Sequence, residues 1–90
     1  MKTLLIEETI KKYLGEDETI LLADGLESAF IGIGRQFGYP VAIYSKKKAI
    51  KAIRSSSMPR MSEEDAIEYF DYNVSQSFVG DQTPVFLEDE

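Results

Sequence analysis

Asp24-Gly25-Leu26-Glu27-Ser28-Ala29-Phe30-Ile31-Gly32-Ile33-Gly34, followed after a short gap by Pro40-Val41-Ala42-Ile43-Tyr44, carries the densest strand signal in the chain. Between residues 28 and 34 the pattern has period two, which places Ala29, Ile31 and Ile33 on one face and Phe30, Gly32 and Gly34 on the other. Asp24-Gly25 is a hairpin signal, because both residues tolerate positive φ. It joins this strand to an apolar run at residues 19–23, read as a preceding strand. Residues 36–40 read as a turn, and residues 41–44 as a third strand. The expectation is a three-stranded antiparallel meander.

Outward from the sheet, the period changes to that of a helix. On the N-terminal side Leu5, Ile6, Ile10, Tyr13 and Leu14 fall on one helical face, with Glu7, Glu8, Lys11 and Lys12 opposite. Glu7–Lys11 and Glu8–Lys12 are i,i+4 pairs in the favourable order, and Gly15 is a stop. On the C-terminal side Ser45 is placed to cap a second helix with an apolar edge of Ala49, Ile50 and Ile53. Ser62-Glu63-Glu64-Asp65 has the form of a capping box and opens a third helix that buries Ala66, Ile67, Phe70 and Val74. The last stretch, residues 75–90, is extended. Phe78, Val79, Val85, Phe86 and Leu87 are too many apolar residues to leave in water, and Pro84 restricts any strand there to a beginning or an edge. The expectation is that this segment docks on its own domain, with Phe86 in the core, Gly80 supplying the bend and Asn73 anchoring the turn.

The resulting fold class is α+β, a single small domain over residues 1–90 in the order α-β-β-β-α-α with a C-terminal extended segment. With 43% hydrophobic residues in 90, the chain has a modest core, which leaves room for a homodimer. It contains no cysteine, histidine or tryptophan, so disulfides, thiolate sites and the commonest base near neutral pH are excluded. No window reaches the roughly 20 apolar residues of a membrane span, and Glu7-Glu8 interrupts the N-terminal apolar run, so a cytoplasmic location without membrane association is expected.

The net charge of −6 conceals a segregation. Residues 35–60 carry seven basic side chains and no acid, whereas residues 61–90 carry nine acids and no base. Lys47, Lys51 and Arg54 fall at i, i+4 and i+7 as a basic stripe on the second helix, and Glu64, Glu68 and Asp71 form an acidic stripe on the third. Such a chain either neutralises its own segments within the fold or presents them to a charged partner. An acidic domain with few interleaved aromatics argues against direct nucleic-acid binding. The candidate binding residues are therefore Arg35, Lys47, Lys51, Arg54, Glu64, Glu68 and Asp71.

Three other constellations invite chemistry. Gly32-Ile33-Gly34-Arg35-Gln36-Phe37-Gly38 suggests a phosphate loop, but the spacing is G-x-G-x-x-x-G and no helix pattern follows. The steric reading is preferred: Gly32 and Gly34 leave a strand face bare, so that a helix, or a partner, can approach. Asp24, Glu27 and Asp81 are loop acids which, if they converged, would hold a divalent ion in a carboxylate-metal hydrolase. Arg35, Lys46 and Arg60 would serve an oligomer that sequesters a nucleotide or other small anionic ligand. No cofactor is expected.

Four runs together, Asp24-Gly25-Leu26-Glu27-x-Ala29-x-Ile31-Gly32-Ile33-Gly34, Pro40-x-x-x-Tyr44, Glu64-Asp65-Ala66-x-Glu68-Tyr69-Phe70-x-Tyr72-Asn73-Val74 and Val79-Gly80-Asp81-x-Thr83-Pro84-x-Phe86-Leu87, resemble a family of small acidic proteins predicted in bacteriophage and prophage genomes. The resemblance covers residues 20–87 and leaves out the N-terminal helix of residues 1–15. The run Arg35 to Gly38 departs from the family form, which often has a cysteine there. What the resemblance implies is a non-catalytic binding protein that blocks a host machine, such as a defence system, inside the bacterial cytoplasm. The expected partner is a host protein or nucleoprotein complex.

Overall fold

The computed structural model describes residues 2–74 and 79–88. The elements run α1 (Lys2–Tyr13), β1 (Phe30–Gln36), β2 (Tyr39–Ser45), α2 (Lys46–Ser56), α3 (Glu63–Asn73) and β3 (Val85–Leu87), with a short 3-10 helix at Glu27–Ala29. The class is α+β, with a sheet of strand order β1-β2-β3.

The sheet is mixed, which corrects the expected antiparallel meander. β1 and β2 form an antiparallel hairpin, while β3 runs parallel to β2 with Ile43 opposite Val85, Tyr44 opposite Phe86 and Ser45 opposite Leu87. A parallel neighbour needs a long crossover, and α2 with α3 provides it. The hairpin turn is Phe37-Gly38, with φ of 54° and 82°. Positive φ at both central residues matches the right-handed twist of the flanking strands.

The expected strand at residues 19–23 is absent. This segment joins no ladder, and three of its backbone groups find partners one at a time. The Ala23 N–H donates to the Tyr44 hydroxyl at 2.8 Å, the Ala23 carbonyl accepts from Leu26 N–H at 3.3 Å, and the Thr19 carbonyl accepts from the Gln82 side chain. Asp24-Gly25 does turn, with Gly25 at φ 83°. It leads into the 3-10 helix instead of a hairpin, and the Glu27 carboxylate accepts the Gly25 N–H at 3.3 Å.

A bulge also alters the strand faces. The register passes from Phe30 opposite Tyr44 to Gly32 opposite Ile43, so Ile31 is the extra residue. A single inserted residue reverses every side chain beyond it. Phe30 and Ile33 consequently share the core face with Ala42, Tyr44 and Phe86, and Ile31 is left exposed.

The helices follow from their caps. Ser45 Oγ accepts from Lys48 N–H at 3.1 Å, and Ser62 Oγ accepts from Asp65 N–H at 3.1 Å. α2 and α3 pack against each other and bury Ala49, Ile53, Ala66 and Phe70, while Ile6 of α1 closes the core from the N-terminal side. At the centre lies an aromatic group. Tyr44 meets Phe30 edge-on at 5.7 Å and stacks on Phe86 at 5.5 Å, and Phe86 meets Phe70 edge-on at 5.0 Å. β3 thus docks on its own domain through a half-buried Phe86. Gly80, at φ 112°, opens the turn before it, where the Gly80 carbonyl accepts from the Thr83 N–H at 3.1 Å and from the Thr83 hydroxyl at 2.6 Å. Pro84 stands just ahead of the ladder, where its missing N–H costs nothing. Phe78, also assigned to this docking, lies outside the described residues.

Candidate functional site

α2 begins directly at the end of β2, so the cap at Ser45 fixes the direction in which its lysines leave the fold. The apolar edge faces α3 and the core; Lys47, Lys48 and Lys51 are exposed on the opposite side. Arg54, expected to extend this stripe, is half-buried, and its Nε donates to the Met61 carbonyl at 3.3 Å, fastening the connection between the two helices. The stripe is therefore Lys47, Lys48 and Lys51. Lys48 lies off the i, i+4, i+7 spacing; with Lys51 at i,i+3, it lines a groove of about 510 Å³ between α2 and the Gly25–Ser28 turn, together with Ser55 and Ser56.

On α3, Glu64, Glu68 and Asp71 are exposed, as their spacing requires. α2 and α3 are packed neighbours of opposite charge, yet no ion pair joins them. Among the described residues the one salt bridge is Arg35–Glu18. Between α2 and α3 the opposite charges are therefore not joined by direct ion pairs.

Arg35 belongs to the scaffold. Its guanidinium donates to both carboxylate oxygens of Glu18, one at 2.9 Å, to the Tyr13 carbonyl at 3.0 Å and to the Gly38 carbonyl at 3.3 Å. A planar fork with its donors filled in this way clips the end of α1 and the loop after it to the β1–β2 hairpin. The Arg35 hydrogen bond, supported by one from the Gly15 N–H, holds the Glu18 carboxyl at about 2, down from an ordinary 4.5. Because the folded value is depressed, the stabilisation is present above about 4.5 and is lost as pH falls toward 2. Glu18→Gln should melt below wild type at pH 7, and the two melting curves should converge as the pH approaches 2. A gap independent of pH would show that the carboxylate contributes nothing to the clip.

The remaining candidates are dispersed. Arg35 sits opposite Pro40 at the start of β2 and Lys46 follows its end, so their backbones lie about 20 Å apart at strand rise. Lys46 Nζ rests 5.8 Å from the Phe70 ring centre, and Arg60 is exposed between the helices. Among the described residues no three acids gather in the manner of a metal site, and Asp24, Glu27 and Asp81 form no such cluster. The glycine run is not a phosphate loop: Gly32 and Gly34 are mid-strand, Gly38 is in the hairpin turn, and a strand follows. No helix closes on these glycines either. A Cβ at Gly32 would meet nothing within 4 Å, and one at Gly34 would crowd Ile43 Cδ1 at 3.2 Å, so the Ile43 side chain fills that gap. The Asn73 amide donates back to the Tyr69 carbonyl at 3.3 Å, within its own helix.

No helix among the described residues is long and apolar enough to cross a membrane. No protein-family profile, curated protein or solved structure matches the chain.

Proposed function

We propose that the chain is a non-catalytic binding module, encoded by a bacteriophage, that inhibits a host protein or nucleoprotein complex through the exposed faces of α2 and α3. The observation that carries this reading is the state of their charges. Lys47, Lys48 and Lys51 on one helix and Glu64, Glu68 and Asp71 on its packed neighbour are exposed and form no ion pair with each other. Two exposed stripes of opposite sign on separate helix faces give a dipolar surface, which steers a partner of complementary pattern and rejects like-charged ones. The phage resemblance of the motifs between residues 24 and 87 supports the class of partner, and the dispersal of Asp24, Glu27 and Asp81 supports binding in place of hydrolysis.

The test is affinity capture from bacterial lysate with immobilised wild type, Lys47→Glu/Lys51→Glu and Glu64→Lys/Glu68→Lys. All four positions are exposed, so the variants should melt within a few degrees of wild type. Wild type should retain a stoichiometric host protein or nucleoprotein complex, and at least one reversal should lose it. A complex retained equally by all three proteins would place the binding surface elsewhere.

A further inference from the structure

We infer that two copies of this chain associate through the open edge of β1, joining their sheets into one and setting the two α1 helices side by side and antiparallel. β1 is the edge strand of the order β1-β2-β3 and is seven residues long, and among the described residues no strand pairs with its outer side. An edge of that length is a template for pairing unless something covers or blunts it. β1 has neither lysine nor proline, its charge at Arg35 is engaged by Glu18, Tyr13 and Gly38, and its bulge is confined to Ile31. What lies beside it is a groove of about 460 Å³ between α1 and β1, with Leu5, Glu8, Lys12 and Tyr13 on one wall and Ile31 and Gly32 on the other.

The lining of that groove is self-complementary. Leu5, Tyr13 and Ile31 are 49%, 55% and 42% exposed, which supplies apolar area at both ends. Glu8 and Lys12 lie one turn apart and make no ion pair with any described residue, and Lys12 instead rests over the Tyr13 ring at 5.5 Å. A two-fold axis perpendicular to the sheet makes the second β1 antiparallel to the first, and the same axis makes the two α1 helices antiparallel on the shared core side. With the axis passing near Gly32, which lines the same groove as Glu8 and Lys12, Glu8 of one copy faces Lys12 of the other, twice. The bulge at Ile31 directs its side chain into the same junction instead of blocking it.

The association leaves α2 and α3 uncovered and is independent of the proposed host partner. Sedimentation equilibrium over a micromolar to millimolar range should show a monomer–dimer equilibrium for the full chain. Glu8→Lys and Lys12→Glu, which each put like charges face to face, should each weaken it at least tenfold. The double variant Glu8→Lys/Lys12→Glu should restore it, an outcome that general loss of stability cannot produce. Ile31→Lys, at an exposed position, should give a monomer with wild-type circular dichroism. A wild type that stays monomeric at millimolar concentration, a double variant no better than the singles, or an Ile31→Lys dimer would each overturn the inference.

Discussion

Phe86→Ala should lower stability by about 2–4 kcal/mol, somewhat under the range of a fully buried phenylalanine because Phe86 is only half-buried. For a domain of this size the melting temperature should fall by roughly 10–25 °C. The loss comes from two ring contacts at once, the stack on Tyr44 and the edge contact with Phe70. It also comes from the pairing of β3, since Tyr44 and Phe86 are register partners and the ladder has only three pairs. A three-residue strand has little ladder of its own, so its docking depends on this side chain. Thermal unfolding followed by circular dichroism measures the effect. A variant that melts like wild type would mean that β3 is not part of the cooperative unit.

Tyr44→Ala should be the more damaging change, at about 3–5 kcal/mol, because Tyr44 is fully buried and touches both Phe30 and Phe86. Tyr44→Phe separates the hydroxyl from the ring. Its hydroxyl accepts the Ala23 N–H, and its removal leaves a part-buried donor without that partner, at a cost of about 0.5–1.5 kcal/mol. Burial pushes the Tyr44 phenol above its usual value, so this loss should not depend on pH across the neutral range. The two alanine changes share a contact, so their double variant should lose less than the sum, by about 0.5–3 kcal/mol. Chemical denaturation of the four proteins gives the cycle, and strict additivity would contradict the packing described.

The parts of the fold that were legible in sequence are those fixed by local chemistry. Ser45 and Ser62 cap their helices as hydroxyl residues placed ahead of amphipathic runs, and Gly80 turns where a positive φ is needed. The parts that were not legible depend on distant partners. Residues 19–23 have the composition of a strand, but they join no ladder, and Tyr44 and Gln82 each take one of their backbone groups, across 21 and 63 residues of sequence. The direction of β3 follows from the α2–α3 crossover and not from the residues Val85-Phe86-Leu87 themselves. The bulge at Ile31 leaves the alternation of residues 28–34 intact on paper while reversing which side chains face the core.

The candidate surface was legible in the same uneven way. The spacing of Lys47, Lys51, Glu64, Glu68 and Asp71 alone placed them on exposed helical faces. Arg35 and Arg54 carry the same charge but are used internally, and their acceptors are a carboxylate 17 residues away and a backbone carbonyl in the interhelical connection. Charge counts alone could not have separated the two kinds of cation.

Binding of the captured host partner, measured at low and at high ionic strength, tests the role of the unpaired charges most directly. If the lysine stripe of α2 and the acidic stripe of α3 form the interface, affinity and association rate should fall steeply with salt, since exposed charges are screened beyond about 8 Å at physiological ionic strength. Lys47→Glu/Lys51→Glu or Glu64→Lys/Glu68→Lys should remove most of that salt dependence. A complex of unchanged affinity across the salt range, equally tight for both reversal variants, would contradict the reading of α2 and α3 as the binding face.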